Sequence, residues 1–398
     1  MIRMQQFDVI VVGAGPAGSS AARRLAQAGL SVMVYDRREE LGVPVRCGEG
    51  VEKKIEEFTG PIPSRAICQH IKGARVYAPN GRFLEAPGVG YVLDRKVFDK
   101  WLAEEAVRAG AHVQVNTHIT ELIIDGDKVC GVRGSHMGGT IEARAKVVVS
   151  ATGAESPLAM QAGIRTPCSM QLVDTCLEYE MSGIRFRRSD DPEYIHIYLD
   201  NSIAPRGYAW IFPKGAESAN VGLGVAPSMD TANSALAYQD KFVSLNQDMF
   251  GQASVLEVKA GIVPVGGLMK DMVADGFVVC GEAAHHVNPI HGGGIKEAVI
   301  SGQLAAEVIA KALKAGDTSK KALSEFNERW WAVRGEHLSK VEKLREVVEK
   351  LSDDDLNYLV DALKPEDIVE FSRGARLSVL AKVLMRKPRL ITLARHLL

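Results

Sequence analysis

Residues 7–36, FDVIVVGAGPAGSSAARRLAQAGLSVMVYD, constrain the fold of this chain more than any other stretch. An apolar run from Phe7 to Val12 reads as a buried strand, Gly13-Ala14-Gly15-Pro16-Ala17-Gly18 as a turn entering a helix, and a second apolar run ends in Asp36. Each part has a mechanical use. Gly13 permits the tight turn, Gly15 lets backbone approach a pyrophosphate, and Gly18, one residue after Ala17, allows the helix to lie close on the strand. The phosphates then sit at the helix N-terminus and Asp36 is placed for a ribose hydroxyl. Glycines alone are weak evidence. Strand, glycines, helix and acid together, within about thirty residues, make a dinucleotide-binding βαβ unit, whether for NAD or for FAD.

A chain of 398 residues is long for one hydrophobic core, so two domains or a domain with a large insertion is expected. Its net charge of -1 and 46% hydrophobic content describe a folded protein with no electrostatic pull toward nucleic acid. Charge is nonetheless uneven. From Gly374 onward the chain carries Arg376, Lys382, Arg386, Lys387, Arg389 and Arg395 without one Asp or Glu. Six cysteines (Cys47, Cys68, Cys130, Cys168, Cys176 and Cys280) lack CxxC spacing. They read as small buried hydrophobes in a reducing cytoplasm, with neither an iron–sulfur cluster nor a metal site expected. No apolar run has the length of a membrane span and no cleaved targeting peptide is recognisable.

Beyond Asp36 a Gly-rich loop, LGVPVRCGEG, leads into residues 51–58, whose mixed pattern reads as a helix, and 94–109 repeat apolar residues at helical spacing. Residues 112–115, 119–124, 129–132 and 140–143 read as strands, and 146–153, KVVVSATG, as a short buried parallel strand ending at Gly153. From 157 to 272 strands dominate, at 174–181, 194–199, 208–213 and 219–225. A further buried strand at 276–282 and a helix at 296–315 resume the first pattern, and the remainder is helical. The expected architecture is α/β: a Rossmann-like domain in two parts (1–156 and 273–318), an inserted antiparallel β substrate domain (157–272) and a C-terminal helical region (319–398).

The segment from Asp275 to Ile295, DGFVVCGEAAHHVNPIHGGGI, resembles the distal signature of the FAD-dependent aromatic-hydroxylase superfamily. The resemblance implies FAD as cofactor, with Glu282, where that superfamily has Asp, toward the ribityl chain. Gly293, Gly294 and Ile295 then open a helix against the flavin. Free amides of this glycine run are expected to stabilise negative charge there. By the same resemblance Arg95 contacts the cofactor, or else is a solvated first-turn helix residue, and Ile119 meets the adenine. Two more segments, PVRCGEG at 44–50 and GYAWIFPKG at 207–215, resemble the geranylgeranyl reductase family, most closely its archaeal members acting on ether phospholipids. This implies that Arg46, Cys47, Gly48 and Gly50 reach the flavin. Tyr208, Trp210, Phe212 and Lys214 then line a cavity for an isoprenoid chain, the three aromatics sharing one face of a strand. Cys47 beside Arg46 is a candidate for a thiol of lowered pKa with a catalytic or positioning role. His286 and His291 are either proton relays or loop histidines satisfied by backbone.

The reaction so implied is saturation of C=C bonds in geranylgeranyl chains of archaeal ether phospholipids, with electrons from NAD(P)H or ferredoxin. An isolated alkene offers nothing to polarise, so such a site must exclude water, align the bond and supply a proton. Leu377, Leu380, Ala381, Leu384 and Met385 recur at helical spacing among basic residues. That pattern reads as a helix that rests on an anionic lipid surface, or covers the substrate tunnel and binds phosphate, or is simply a solvated terminal helix; Arg373 and Arg376 are the candidate head-group ligands, and the protein is expected to be peripheral to the membrane. Two other readings share the fold class: a flavin monooxygenase of a small aromatic substrate, and a non-enzymatic isoprenoid carrier.

Overall fold

The computed structural model describes residues 5–155, 157–165, 172–226 and 233–397. In the first sheet Gln5–Val12 lies between Val32–Tyr35 and Gly139–Ser150, parallel to both, with His112–Gln114 and Phe277–Val279 continuing the parallel order outward. Both faces are covered, and Val9, Ile10, Val11, Val147, Val148 and Val149 have no exposed surface, which is why these strands read as unbroken apolar runs. Val12 stands in register with Tyr35 on one side and Ser150 on the other. The Gly13 turn therefore leaves the sheet at the carboxyl edge, where open parallel sheets bind ligands.

The strands expected at 140–143 and 146–153 are one strand of 12 residues, Gly139–Ser150. Its first part pairs antiparallel with Lys128–His136, itself hairpinned to Thr117–Asp125, and its second part joins the parallel core. Pro16–Gln27 begins with proline at its first position, where the missing N–H costs nothing, and buries Ala21, Ala22, Leu25 and Ala26. It lies against Ile295–Ala315 at a close crossing. There a Cβ on Gly302 would stand 2.1 Å from the Ala17 carbonyl oxygen, so only glycine fits.

The second sheet has eight strands, in the order Ser254–Pro264, Val173–Ser182, Ser218–Val225, Tyr208–Pro213, Tyr194–Tyr198, Ile67–Tyr77, Phe83–Leu93, Gly50–Glu52. Two expectations are corrected here. The sheet is mixed, because Tyr194–Tyr198 runs parallel to Ile67–Tyr77, and it is not confined to 157–272, because three strands come from 50–93. Residues 51–58 form the end of a strand, a 3₁₀ turn at Lys53–Ile55 and the start of the short helix Glu56–Thr59. Strands Ile67–Tyr77 and Phe83–Leu93 escape pattern reading because bulges break their register and because Gly73, Pro87, Gly88 and Gly90 interrupt the alternation. Gly73 is required there, since a Cβ would lie 2.5 Å from the Ala86 carbonyl oxygen.

The C-terminal region is helical, including Glu336–Val348, Asp353–Ala362, Pro365–Ser372, Leu377–Leu384 and Ile391–His396. Leu380, Ala381 and Leu384 are buried against Leu344, Val347 and Leu359. This corrects the reading of Leu377–Leu384 as a helix laid on lipid, because its apolar stripe is consumed by protein. Lys387 and Arg389 both pair with Asp355. Among the described residues no helix is long and apolar enough to cross a membrane, and no cluster of His, Cys, Asp or Glu has the makings of a metal site. Cys280 is buried and Cys47, Cys68, Cys130 and Cys176 are half-buried thiols; Cys168 lies outside the described residues.

Candidate active site

One cavity of about 1680 Å³ has Gly13, Gly15 and Asp36 in its wall at the first sheet and Leu359, Val360 and Phe371 in its wall at the C-terminal helices. Single-ligand pockets run to roughly 1,000 Å³, so this space exceeds what one small ligand fills. Ala17, Arg46, Cys47, Gly48, Gly50, Arg95, Ile119, Gly153, Glu282, Gly293, Gly294, Ile295, Tyr208, Trp210, Phe212 and Arg373 all contribute to its lining.

The cradle end fits a pyrophosphate. Gly13 has φ +102 and a Cβ there would meet the Ala151 carbonyl oxygen at 2.3 Å, while a Cβ on Gly18 would stand 1.8 Å from the Gly13 carbonyl oxygen. At Gly15 a Cβ would meet nothing within 4 Å. The protein itself does not demand that glycine; an approaching ligand does. Asp36 accepts from the Ala14 amide at 2.7 Å and from the amide, Nε and Nη2 of Arg38 at 2.8–2.9 Å. Burial would raise this carboxyl, but the Arg38 contacts hold it below the usual range. A further donor would reach Asp36 only by displacing one of these bonds.

Arg95 is not a solvated helix residue. Its guanidinium grips Asp99 at 2.7 and 2.9 Å, and its backbone amide donates to Glu49 Oε1 at 2.8 Å. On the distal loop, a Cβ on Gly153 would lie 3.7 Å from Glu282 Oε2, and burial pushes the Glu282 carboxyl up to about 7 against the pull of Arg95. The expected run of free glycine amides is reduced: Gly292 donates to the Asn288 carbonyl and Gly293 to His291 Nδ1. What remains is Gly294 and the first turn from Ile295, the donors that any helix start leaves unpaired.

The three motif segments meet in space. Phe212 lies over the PVRCGEG loop so tightly that a Cβ on Gly48 or Gly50 would stand 3.1 or 3.0 Å from its Cε2. Tyr208 donates through its hydroxyl to the His291 carbonyl at 2.7 Å, and Trp210 sits between the two other aromatics, its Nε1 donating to Glu178 at 2.7 Å. The glycines of the loop thus make room for the aromatic strand. Cys47 belongs to this wall, but not as a lowered-pKa thiol. Burial pushes it up, Arg95 offsets only part of that, and Arg46 is half exposed and 3.6 Å from Glu155 instead. Alkylation of Cys47 by iodoacetamide is accordingly expected to be slow at pH 7 and to accelerate about tenfold per pH unit as the thiolate fraction grows. Peptide mass spectrometry reads this directly, and rapid modification at neutral pH would contradict it.

Several residues stand elsewhere than expected. Lys214 is not on the cavity wall; its Nζ binds Glu49 at 2.9 Å and Glu180 at 3.0 Å. His286 is stacked on Trp330 at 3.7 Å with Nδ1 on Ser301 at 2.7 Å, and burial drives its pKa down, so it is a core histidine. His291 stays on the cavity wall, its Nδ1 occupied by the Gly293 amide. Arg373 lines the cavity and is 3.9 Å from Glu370, whereas Arg376 sits off the wall, 3.8 Å from Asp367. Sequence reading passed over Glu49, Glu178, Asn220 and Lys259, which form a buried polar network with Lys214 and Glu180. The available signal was Glu178 and Glu180 two apart on a strand, with Lys259 directly across from Glu178 on the next.

The far wall is apolar. Ala74, Val76, Leu84, Ala86, Ile195 and Ile197 are mutual cross-strand partners, so they share one face of the second sheet, and all six line the cavity. The C-terminal helices cover that face with Leu359, Val360, Leu363 and Phe371.

A family model described as geranylgeranyl reductase catalytic domain matches residues 173–263, and one described as pyridine nucleotide-disulphide oxidoreductase matches residues 7–184. A digeranylgeranylglycerophospholipid reductase of Methanocella arvoryzae is 41% identical over 97% of this chain and 97% of its own. The chain belongs to the geranylgeranyl reductase family. A solved geranylgeranyl bacteriochlorophyll reductase-like protein of Thermoplasma acidophilum superimposes with TM-score 0.89 at 32% identity, covering 99% of this chain and 100% of that one. A flavin-dependent brominase, in triple-mutant form, matches at TM-score 0.76 and 20% identity over 96% of this chain and 100% of its own, which shows a shared fold. This geranylgeranyl reductase family member is an FAD-binding protein.

Proposed function

We propose that this chain is an FAD-dependent reductase that saturates C=C bonds in the geranylgeranyl chains of ether phospholipids. The observation that carries the reading is the single cavity joining the dinucleotide cradle at Gly13 and Gly15 to the apolar face of Ala74, Val76, Ile195 and Ile197. Bound flavin supplies the hydride equivalent. The chain itself does the rest. Gly13, Gly15, Asp36, Arg95 and Glu282 hold the cofactor; Tyr208, Trp210 and Phe212 give the reacting double bond a flat, dry wall on which alignment is worth many orders of magnitude in rate. The apolar lobe between sheet and helices takes the remaining isoprene units, and Arg373 at the wall faces the phosphate end. The protein meets its lipid at a membrane surface from the cytoplasmic side and receives electrons from NAD(P)H or ferredoxin.

Anaerobic reduction of the purified holoprotein, followed by digeranylgeranylglyceryl phospholipid, tests the reading. The lipid is expected to gain mass in steps of two hydrogens. A fully reduced flavin with no mass gain in the lipid would overturn it.

A further inference from the structure

Beside the aromatic strand lies a buried charge cluster with an odd count. Glu49, Glu178 and Glu180 share two cations, Lys214 and Lys259. Lys259 has three protons to donate, and they go to Glu49 Oε2 at 3.2 Å, Glu180 Oε2 at 2.9 Å and Asn220 Oδ1 at 3.0 Å. Glu178 is left over. Its Oε2 accepts from Trp210, while its Oε1 is buried and takes no hydrogen bond among the described residues, with Lys259 Nζ 3.4 Å away. Three carboxylates against two ammoniums is an arrangement that one added proton neutralises, and the oxygen without a donor is where that proton belongs. Glu178 also faces the chemistry. It lines the cavity, and a Cβ on Gly48 would stand only 3.4 Å from its Oε2.

We propose that Glu178 is the proton-holding acid of this site, supplying the proton that the double bond needs alongside the hydride equivalent. The inference rests on the reductase reading. The step would balance with the alkene π pair forming one new C–H bond with the Glu178 proton, while bound reduced flavin, the two-electron reductant, would supply the hydrogen and electron pair for the other. Glu178 is left as a carboxylate beside Lys259. Recharging runs through Lys259 to Glu180, whose side chain is 25% exposed and so connects the cluster to water.

The groups facing Glu178 act in opposite senses. Burial and the neighbouring Glu49 favour its neutral form, Lys259 and the Trp210 N–H its charged form, and the balance places it at about 7. Protonated below that pH, it is spent as an acid above it, so the saturation rate is expected to fall as pH rises through about 7.

Two measurements on the flavin-loaded protein test this. Infrared titration should show protonated-carboxyl absorption that disappears near neutral pH, one share of it from Glu282, and Glu178→Gln should lose the share that belongs to Glu178 while keeping the other. In single-turnover saturation of the phospholipid, Glu178→Gln should be slower by about 10²-fold and lose the alkaline fall in rate, with flavin content unchanged. The amide oxygen still accepts from Trp210, so a merely structural role predicts the wild-type pH profile. A wild type that turns over and has no protonated-carboxyl absorption overturns the proposal even where the variant does not fold, and so does absorption that Glu178→Gln leaves undiminished, or a Glu178→Gln enzyme with wild-type rate and profile. A wild type that saturates no lipid overturns the reductase reading instead.

Discussion

Gly18→Ala is expected to purify without flavin, its affinity for FAD reduced at least about 100-fold, or roughly 2.8 kcal/mol. Glycine to alanine in a helix ordinarily stabilises by about 1 kcal/mol, so the sign of the effect reports the contact and not the propensity. The new Cβ would lie 1.8 Å from the Gly13 carbonyl oxygen and 3.2 Å from Val11 Cγ1. Neither is the end of a flexible side chain. To relieve the clash the helix must lift from the strand or the Gly13 turn must open, and either displaces the amides that receive the pyrophosphate. Gly15→Ala separates the two causes. Its Cβ meets no protein atom within 4 Å and its φ of -75 suits alanine, so that variant should fold and melt normally while losing FAD affinity through the ligand alone. Flavin absorbance after gel filtration reads both. Yellow Gly18→Ala protein with the wild-type flavin content would contradict the close-approach argument.

The second large effect concerns the apolar lobe. Ala74→Trp is expected to abolish saturation of geranylgeranyl chains by about 100-fold or more, leaving the flavin spectrum intact. Ala74 pairs with Ala86 and Ile195, and all three line the cavity. On the proposed reading an indole there would occupy the path of the chain, and displacing the reacting bond by about 1 Å is enough for a 10²-fold loss. Stability discriminates this from a packing effect. Forcing extra atoms into a filled core costs about 1–3 kcal/mol, whereas projecting them into an open lobe leaves the melting temperature near that of the wild type. A shorter prenyl phospholipid should be affected less. A destabilised variant with undiminished turnover would place the chain elsewhere.

How far the sequence reaches depends on how local each feature is. The cradle is local: its strand, glycines, helix and acid occupy one contiguous unit, and Gly13 and Gly18 demand their residue type through contacts within that unit or with the strand beside it, Gly15 only through a ligand. The buried parallel strands were legible for the same reason, since burial on both faces leaves unbroken apolar runs. Strands Ile67–Tyr77 and Phe83–Leu93 were not, because glycine, proline and bulges erase their alternation. The aromatic strand showed its shared face but not its partner. That Gly48 and Gly50 exist to admit Phe212 is visible only where the two segments touch.

The sequence by itself determined that this chain binds a dinucleotide, and its motif likeness pointed to FAD and an isoprenoid substrate. Tertiary structure decided where each charge goes. Lys214 looks like a turn lysine near a substrate wall, yet it reaches Glu49 and Glu180 from 165 and 34 residues away. The basic terminal helix looks membrane-seeking, yet its leucines are buried under Leu344 and Leu359. Cys47 looks activated by Arg46, yet burial sets its pKa and Arg46 is occupied with Glu155. The physical reason is common to all three. Desolvation and ion pairing depend on distance in space, and an amphipathic stripe or a charged side chain carries no mark of which distant surface will satisfy it.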